Sequence, residues 1–403
     1  MLLIGSGGRE HALAWKLRQS SRLDELHAAP GNPGIAQLGE CHPVRAEDGE
    51  GLLDLARSLN AELVVIGPEA PLVNGVADEL RHAGLSVFGP SSAAARIEGS
   101  KSFAKDIMRA AGVPTAEAMT AARPPCVVKV DGLAAGKGVF VCPDQQSLDE
   151  ALRESARLGQ PLVIEELLEG DEVSLFALAD GANAVPLAPA RDYKRIGDGD
   201  LGPNTGGMGA FSPVAELTES DVEALVETVH RPVLAELSGR GAPFVGLLYA
   251  GLMLTEDGPR VLEFNCRFGD PETQAILPRI RGDFLEALAA AAGSDLEGVT
   301  LDVGEDAAVT IVLAGCDYPA ASDSGTPIDG IGDVGGGALV FHAGTAMHGG
   351  RLVTNGGRVL NVTGLGTSLD EARDSAYAGA GRISFDGMQY RRDIATRTID
   401  VGT

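Results

Sequence analysis

The chain has 403 residues, of which 44% are hydrophobic and 22% are charged, and its formal net charge is −25. This is the composition of an ordinary globular protein, and the length indicates two to four domains. The negative charge disfavours sequence-independent binding to nucleic acid or to an anionic membrane surface, because its mean field repels phosphate groups.

The N-terminus and the cysteines favour a cytoplasmic enzyme. Residues 1–4 form an apolar run that ends at Gly5 and is too short for a signal peptide. No run approaches the ~18 apolar residues that a membrane-spanning helix needs. The cysteines contain no CxxC pair, which favours reduced thiols in core or strand positions over disulfides or a zinc site: Cys41, Cys126, Cys142, Cys266 and Cys316.

Residues 1 to about 99 alternate short apolar runs with helical patterns, which predicts parallel βαβ units. The predicted strands are residues 2–4, 63–66 and 85–88, and the predicted helices are residues 11–18, 52–59 and 76–82. The strands end in glycine turns: Gly5-Ser-Gly-Gly8, Gly67-Pro-Glu69 and Gly89-Pro-Ser91. Because ligands bind at the carboxyl ends of strands in open α/β sheets, these turns are candidate binding loops.

The first turn differs from a dinucleotide-binding fingerprint. Glu10 stands where GxGxxG requires its third glycine, and no acidic residue closes the next strand. A nicotinamide-dependent dehydrogenase is therefore disfavoured. The backbone N–H groups of such a turn can bind a single phosphate at a helix N-terminus, and the alternative is a tight turn without a ligand.

The next region is typical of a small antiparallel lid. A predicted helix from Ser100 carries Lys101, Lys105 and Arg109. The strands predicted after it are residues 127–130, 139–142, 162–167 and 174–179. Lys129 lies inside an apolar strand and needs an anionic partner, because burying an unpaired ammonium is costly.

Two further features of the predicted lid are compatible with nucleotide binding. Lys137 lies between two glycines, but the spacing departs from GxxxxGK[ST], which excludes the P-loop class. A hairpin tip at Lys137 can close over a triphosphate, and the alternative is a solvated turn. Glu165, Glu166 and Glu172 lie near a strand end, where they are either solvated or bind adenine and ribose hydroxyls.

Glu263 and Asn265 form the sharpest candidate site. Residues 197–209 predict a long polar loop, residues 221–240 an amphipathic helix, and residues 247–254 and 260–265 a hairpin. On that hairpin Glu263 and Asn265 alternate with apolar residues and share one face, where their oxygens suit Mg2+. The alternative is a sheet edge with mixed charges.

After about residue 315 the sequence becomes rich in glycine. It predicts a smaller unit with several strands and one helix near residues 369–383. The predicted fold is therefore a multidomain α/β and α+β protein. We expect an N-terminal parallel α/β domain over residues 1–99 and a central domain over residues 100–316, with a lid at about 118–189. A small C-terminal α+β domain is expected over residues 317–403.

Six motifs are similar to those of one known enzyme family. They are Gly5-Ser-Gly-Gly-Arg-Glu-His-Ala12, Gly31-Asn-Pro-Gly34, Gly67-Pro-Glu-Ala-Pro-Leu72, Lys129-Val-Asp-Gly-Leu-Ala-Ala-Gly-Lys-Gly-Val139, Asp198-Gly-Asp-Leu-Gly-Pro-Asn-Thr-Gly-Gly-Met-Gly209 and Arg267-Phe-Gly-Asp-Pro-Glu272. Together they closely resemble the phosphoribosylamine–glycine ligases, a family of ATP-grasp enzymes in de novo purine synthesis. The resemblance spans essentially the whole chain and implies that the central domain over residues 100–316 is an ATP-grasp domain.

The resemblance implies roles for individual residues. Glu263 and Asn265 would bind Mg2+ or Mn2+, and Lys137, Arg267 and Asp192 would act in catalysis. The implied ATP contacts are Lys105, Lys129, Lys137, Glu165, Glu166, Leu167 and Glu172. The implied substrate contacts are Gly7, Gly8, Asn32, Gly34, Asp192, Lys194, Thr205, Gly206, Gly207, Met208 and Arg267. Where the family usually has Gln-Asp-His-Lys-Arg, this chain has Arg191-Asp-Tyr-Lys-Arg195, which puts local contacts in doubt.

The resemblance also implies the reaction. Glycine would react with ATP to give glycyl phosphate, which 5-phosphoribosylamine would convert to glycinamide ribonucleotide. The expected partners are these small molecules, with no nucleic acid, no membrane, and a monomeric or weakly homo-oligomeric state. Two alternatives remain: another ATP-grasp carboxylate–amine ligase, and a nucleotide sensor without catalysis.

Overall fold

The N-terminal residues form a five-stranded parallel sheet with helices on both faces. The computed structural model describes residues 1–133, 138–159 and 161–396. The strands are β1 (Leu2–Gly5), β2 (His27–Pro30), β3 (Glu40–Cys41), β4 (Val64–Ile66) and β5 (Val87–Phe88), in the order β3-β2-β1-β4-β5. The helices are α1 (Gly8–Leu17), α2 (Gly49–Ser58), α3 (Glu69–Val73), α4 (Val76–His82), α5 (Ser92–Gly99) and α6 (Lys101–Ala111).

The apolar pattern of β1 explains why it lies at the centre of this sheet. Leu2 and Ile4 pack into one hydrophobic cluster and Leu3 packs into another on the opposite face. A strand that is covered on both faces reads as a continuous apolar run, as β1 does. The strands and helices predicted for residues 1–99 are confirmed, with small shifts at their ends.

A separate three-stranded antiparallel sheet follows. It contains β6 (Cys126–Val130), β7 (Val139–Cys142) and β8 (Leu162–Glu166) in the order β7-β6-β8, and α7 (Gln145–Leu158) packs against it. Its small core includes Val128, Leu148 and Ala151. We refer to β6, β7, β8 and α7 as the lid.

Six strands follow the lid in the sequence. They are β9 (Asp171–Asp180), β10 (Ala184–Pro186), β11 (Arg191–Asp192), β12 (Arg195–Gly197), β13 (Leu201–Asn204) and β14 (Gly209–Ser212). The prediction of one long loop over residues 197–209 is wrong, because β12 and β13 pair as an antiparallel ribbon there. The ribbon is polar and Leu201 is 69% exposed, so it lacks the apolar alternation that identifies a strand from sequence.

The predicted amphipathic helix and hairpin are both present. Residues 219–239 form α8 (Glu219–Leu225), a π-helical turn (Val226–His230) and α9 (Arg231–Gly239), followed by β15 (Val245–Thr255) and β16 (Gly258–Asn265). The central antiparallel sheet has the order β10-β9-β15-β16. Residues 174–179 were expected in the lid, but as part of β9 they pair with β15. That assignment was wrong because an apolar run shows that a strand is buried without showing its partner.

The C-terminal residues add two further sheets. The elements are α10 (Glu272–Ile276), β17 (Ile280–Arg281), α11 (Phe284–Ala292), β18 (Asp302–Val303), β19 (Ala307–Ala314), β20 (Asp323–Pro327), β21 (Ala338–His342), β22 (Thr345–His348), β23 (Arg351–Gly356), β24 (Arg358–Gly366) and α12 (Leu369–Ala380). One sheet has the order β11-β14-β19-β24-β21 and the other β20-β23-β22, while β17 pairs with β18. The predicted α/β and α+β multidomain class is confirmed. Within the described ranges, no helix has both the length and the apolar character required to cross a bilayer.

The cysteines follow the prediction with one exception. Cys126, Cys142 and Cys266 are buried and Cys41 is half-buried, whereas Cys316 is exposed in a turn after β19. The expectation of a core or strand position was therefore wrong for Cys316. All five cysteines fall in the described ranges and are free thiols.

Candidate active site

One carboxylate joins the two buried lysines that were predicted to bind phosphate. Glu165 Oε1 lies 2.8 Å from Lys105 Nζ, and Glu165 Oε2 lies 2.6 Å from Lys129 Nζ. Lys105 Nζ also donates to Thr115 Oγ1 at 2.8 Å, and Lys129 Nζ donates to the Leu262 carbonyl at 2.8 Å. Glu165 is thus the anionic partner predicted for Lys129. Burial lowers the pKa of Lys105, and Glu165 opposes that effect.

Local structure explains this convergence. Ser100 caps α6 by accepting a hydrogen bond from the Phe103 N–H, and the helix ends at Gly112, whose φ of +68° suits glycine. This fixes Lys105 on the second turn of α6. In the lid, Glu165 on β8 is the register partner of Val127 on β6, so Glu165 and Lys129 occupy neighbouring positions on one face.

Both predicted metal ligands lie on β16. Glu263 is opposite Gly251 and Asn265 is opposite Tyr249 in a regular stretch of the ladder, so the two side chains share a face. Burial raises the pKa of Glu263, but Lys194, Lys129 and Lys101 outweigh it and the net pKa is lowered. Glu263 is therefore held as a carboxylate surrounded by cations.

Arg267 connects β16 to the N-terminal sheet. Its Nη2 lies 3.2 Å from Glu98 Oε1 and its Nε lies 3.3 Å from Glu69 Oε2. Its Nη2 also donates to Asn265 Oδ1 at 3.5 Å. Although burial alone lowers the pKa of Arg267, Glu98 and Glu69 raise it, so the guanidinium stays charged. For Glu69, burial alone raises the pKa, but Arg267 and Arg9 lower it to about 2.

The sequence-based predictions assigned no role to Glu69 or Glu98. Glu69 starts α3 directly after the glycine turn of β4, so its position at a strand end was the available signal. Glu98 lies on α5, where no motif and no strand end marked it as a binding residue. Burial raises the pKa of Glu98, and Arg267 opposes that rise.

Asp192 and Lys194 lie in a second charged cluster beside Glu263. Lys194 Nζ pairs with Glu172 Oε1. Burial raises the pKa of Asp192 to about 8, Lys194 opposes this rise, and Glu272 adds to it. Burial alone lowers the pKa of Lys194, but Asp192 and Glu172 raise it well above its usual value. Asp192, Lys194 and Glu172 are thus brought together with the predicted metal ligand.

Asn32 ties the predicted substrate loops together through its own side chain. Its Nδ2 donates to the Ser6 carbonyl at 2.8 Å and to the His342 carbonyl at 2.8 Å. Its Oδ1 accepts from the Gly34 and Ile35 N–H groups at 2.9 Å each. The amide is buried and already hydrogen-bonded at both ends, so a role in shaping these loops fits it better than direct recognition of a ligand.

The glycines of the first turn permit close approach. A Cβ on Gly8 would lie 2.2 Å from Asn361 Nδ2, and a Cβ on Gly7 would lie 2.8 Å from Glu10 Oε2. The Gly7 N–H donates to Glu10 Oε2 at 2.6 Å. The same Cβ on Gly7 would be 3.5 Å from Asp270 Oδ2, which places this turn beside the 267–272 motif.

Arg358 joins that motif to the 205–208 segment, a contact that sequence reasoning missed. Arg358 Nη1 donates to the Asp270 carbonyl at 2.7 Å and to the Gly206 carbonyl, and its Nη2 lies 3.4 Å from Asp270 Oδ2. Gly207 has a φ of +108°, and a Cβ there would lie 2.4 Å from Pro271 Cδ. No local pattern around Arg358 predicts these partners, since they come from distant parts of the chain.

The other members of this segment are held mainly by the backbone. Thr205 Oγ1 donates to the Lys194 carbonyl at 2.8 Å and accepts from the Gly207 N–H at 3.0 Å. Met208 is completely buried, and its N–H donates to the Tyr193 carbonyl at 2.8 Å. Met208 therefore packs in the core and offers no side-chain atom to solvent.

The remaining predicted nucleotide contacts lie at the end of β8. Glu166 Oε1 accepts from the Glu117 N–H at 2.9 Å and from Arg260 Nη1 at 3.0 Å, and Leu167 follows as a half-buried residue. These contacts join the edge of the lid to β16. Lys137 lies outside the described residues, so its predicted role stays a prediction.

The donor set fits an ATP–metal complex. Lys105 and Lys129 are positioned ammonium groups, while Glu263 supplies an ionised carboxylate and Asn265 a buried amide oxygen. Hard oxygen ligands of this kind suit Mg2+ or Mn2+, and ammonium groups neutralise phosphate charge. These groups lie where β16, the lid and α6 meet.

Comparison with known proteins gives one consistent answer. Three family descriptions cover the chain: "Phosphoribosylglycinamide synthetase, N domain" matches residues 1–98, the "ATP-grasp (A) domain" of that synthetase matches residues 99–273, and its "C domain" matches residues 308–397. A phosphoribosylamine–glycine ligase from Streptomyces coelicolor is 50% identical, with 98% of this chain and 99% of the relative covered. One from Rhizobium meliloti is 47% identical, with 99% and 98% covered.

A solved structure agrees with the sequence comparisons. The crystal structure of phosphoribosylamine–glycine ligase from Thermotoga maritima superposes with a TM-score of 0.83 at 37% identity, covering 98% of this chain and 99% of that one. Sequence similarity therefore extends over nearly the full length of all three relatives, and structural similarity over nearly the full length of the Thermotoga maritima enzyme. The chain belongs to the phosphoribosylamine–glycine ligase family, the phosphoribosylglycinamide synthetases.

Proposed function

We propose that this chain ligates glycine to 5-phosphoribosylamine with ATP, giving glycinamide ribonucleotide, ADP and phosphate in purine biosynthesis. Family membership over almost the whole length supports the reaction. The observation that carries the proposal is the ionised Glu263, which shares a strand face with Asn265 and lies among Lys194, Lys129 and Lys101. Such a site can hold a divalent cation and the phosphates bound to it.

The first step is transfer of the γ-phosphoryl group to glycine. A glycine carboxylate oxygen attacks the γ-phosphorus, the bond to the β-phosphate oxygen breaks, and ADP leaves with glycyl phosphate formed. Mg2+ or Mn2+ on Glu263 and Asn265 supplies charge neutralisation when bound. Lys105 and Lys129 hold the phosphates through charge, because catalysis of phosphoryl transfer is mostly positioning and electrostatics.

The second step forms the amide. The amine of 5-phosphoribosylamine attacks the acyl carbon of glycyl phosphate, phosphate leaves, and the amine nitrogen loses a proton. Asp192 is suited to accept that proton, because its pKa of about 8 lies close to neutral pH. Arg267 lies between β16 and α3, where a guanidinium can neutralise the phosphoryl oxygens of the intermediate.

The remaining predicted residues have supporting roles. We place the adenosine contacts at Glu166 and Leu167, at the end of β8, and at Glu172 on β9. Glu165 holds Lys105 and Lys129 in position through its two ion pairs. Lys194 and two groups of loop residues are proposed to form the 5-phosphoribosylamine site. The loop residues are Gly7, Gly8, Gly34, Thr205, Gly206, Gly207 and Met208. The lid bearing Lys137 is proposed to close over the triphosphate and shield glycyl phosphate from water.

An ADP-release assay in which amino acid and amine vary independently tests the function. We expect sustained ADP release only with glycine and phosphoribosylamine together, and mass detection of glycinamide ribonucleotide. Turnover with a different amino acid or amine, but not this pair, would support another ATP-grasp ligase. ATP binding without ADP release under any combination would support a nucleotide sensor.

We also propose an oligomeric state and a cellular compartment for this protein. The net charge of −25 and the free thiols support a cytoplasmic enzyme that acts on small molecules rather than on nucleic acid or membranes. A monomer or weak homo-oligomer is the proposed state. Light scattering across a concentration series, with and without ATP, measures it directly.

A further inference from the structure

Two histidines and a glutamate meet at the outer edge of the N-terminal sheet, away from the lysine and carboxylate cluster described above. His27 opens β2 and is the register partner of Glu40, the first residue of the edge strand β3. His42 follows β3 directly, and its N–H donates to the Ala28 carbonyl at 2.8 Å. Glu40 and His42 are two residues apart along an extended strand, so both side chains point to one face.

The distances suit a shared metal ion. His27 Nδ1 lies 3.1 Å from His42 Nε2 and 3.9 Å from Glu40 Oε2. One ligand atom from each of the three residues lies within 4.8 Å of the other two. In a tetrahedral site with metal–nitrogen bonds of about 2.1 Å, two ligand atoms are about 3.4 Å apart. The observed spacing therefore needs only a small movement of the exposed Glu40 side chain.

A second carboxylate orients the central histidine. His27 Nε2 lies 3.3 Å from Glu25 Oε2, on the side of the ring away from Glu40. If Nε2 carries the proton and donates it to Glu25, the Nδ1 lone pair is directed at His42 and Glu40. Metal-binding histidines commonly donate their other ring N–H to a carboxylate in this way.

The charge and ligand chemistry select one class of ion. Two neutral imidazoles with Glu40 and Glu25 carry a summed charge of about −2, which balances a divalent cation. Imidazole nitrogen suits Zn2+ and neighbouring transition metals, whereas Mg2+ prefers oxygen ligands. Glu40 is exposed and His42 is half-buried, so an ion can reach these ligands directly from solvent.

We propose that His27, His42 and Glu40 form a Zn2+-class metal site, with Glu25 as the positioning residue for His27. Three protein ligands leave a fourth position for water. The ion would join the two-residue edge strand β3 to β2 and close the loop between them, which carries Asn32 and Gly34. The site would therefore stabilise the base of a proposed substrate loop without taking part in the ligation.

Zn2+ titration of the untagged full-length protein tests this site. Saturating Mg2+ is added first, so that the proposed site at Glu263 and Asn265 is filled. We expect one equivalent of Zn2+ to bind, measured by competition with a chromophoric chelator, and the melting temperature to rise. Co2+ in place of Zn2+ should give visible absorption bands of a tetrahedral nitrogen and oxygen site.

Three variants and a control separate the site from surface binding. His42→Ala should remove the stoichiometric binding, and Glu40→Gln, at an exposed position that leaves the fold intact, should weaken it strongly. Glu25→Gln should weaken it about 10- to 100-fold, because it removes only the orienting carboxylate. The matched control His348→Ala removes an exposed histidine of β22 and should bind Zn2+ like the wild type.

Two results would overturn the assignment. One is wild-type protein that binds no stoichiometric Zn2+, which would leave His27 and His42 as a hydrogen-bonded imidazole pair only. The other is unchanged one-to-one binding in both His42→Ala and Glu40→Gln. Neither result depends on turnover, so the ligase proposal stands or falls separately.

Discussion

Lys129 Nζ lies 2.6 Å from Glu165 Oε2, and both side chains are buried. The other oxygen of the same carboxylate lies 2.8 Å from Lys105 Nζ. One negative charge therefore holds two positive charges together in a region with little water, and this leaves net positive charge for an anionic ligand.

Replacing Glu165 should harm stability and nucleotide binding together. Glu165→Gln keeps the shape but leaves two ammonium groups buried without a counter-charge, so we expect a loss of about 3–5 kcal/mol in unfolding free energy. The KM for ATP should also rise. Denaturant unfolding and ATP kinetics measure the two effects.

Glu166→Gln is the matched control for that variant. Glu166 is the next residue, and its partially exposed pair with Arg260 should contribute only about 0–1 kcal/mol. Equal losses of stability in the two variants would contradict the special role of Glu165.

Glu263→Gln should abolish metal-dependent turnover while the protein stays folded. The variant loses the carboxylate that faces Lys194, Lys129 and Lys101, so we expect kcat to fall by about 100-fold or more at any Mg2+ concentration. The measurement is an Mg2+ titration of ADP release beside a thermal melt. Glu256→Gln, an exposed change in the same hairpin, serves as the control. Turnover of Glu263→Gln at the wild-type level would remove Glu263 from the metal site.

Asp192 should give the enzyme a pH dependence near neutrality. If the carboxylate accepts a proton from the amine, kcat/KM should rise as pH increases through about 8, the pKa of Asp192. Asp192→Asn should lower kcat/KM and reduce its rise with pH. If kcat/KM of Asp192→Asn still rises through about pH 8, another group is responsible for the pH dependence.

The raised pKa of Asp192 also predicts that the protein becomes less stable as pH rises. The pKa of Asp192 is about 8 in the native state and 3.8 ordinarily, so the native state holds the proton more tightly. The resulting stabilisation is complete below about pH 4 and is lost as pH rises through about 8. Unfolding measured from pH 4 to pH 9 should show this slope in the wild type and a smaller slope in Asp192→Asn.

Lys137→Ala should slow phosphoryl transfer more than it weakens glycine binding. The Lys137 ammonium is proposed to neutralise charge on the transferred group, so kcat should fall while the KM for glycine changes little. Single-turnover ADP formation measures this step. Arg153→Ala on the exposed face of α7 removes a positive charge elsewhere on the lid and should leave the rate unchanged. An unchanged rate in Lys137→Ala would favour the alternative that Lys137 belongs to a solvated turn.

Arg358→Ala should weaken use of 5-phosphoribosylamine. The guanidinium donates to carbonyls of both Gly206 and Asp270, so its loss should loosen the proposed substrate segment. We expect a higher KM for 5-phosphoribosylamine with a smaller change in the KM for ATP. Arg351→Ala, an exposed change on the preceding strand β23, is the control. Equal changes in both KM values would indicate a general structural defect instead.

The sequence alone predicted several geometric features of the candidate site, because the signals for them are local. Alternation over residues 261–265 placed Glu263 and Asn265 on one strand face, and the buried position of Lys129 required an anion. Glycine turns after apolar runs likewise marked the carboxyl edge of the N-terminal sheet as a candidate binding edge, and the motifs indicated the family.

The tertiary structure decided which distant groups meet. It selected Glu165 as the shared partner of Lys105 and Lys129, paired β9 with β15 instead of with the lid, and brought Arg358 to Gly206, 152 residues away. Periodicity reports which face of an element is buried, whereas partners across the chain depend on how separate faces pack together. For the same physical reason, the convergence of His27, Glu40 and His42 became visible only when β3 was aligned beside β2.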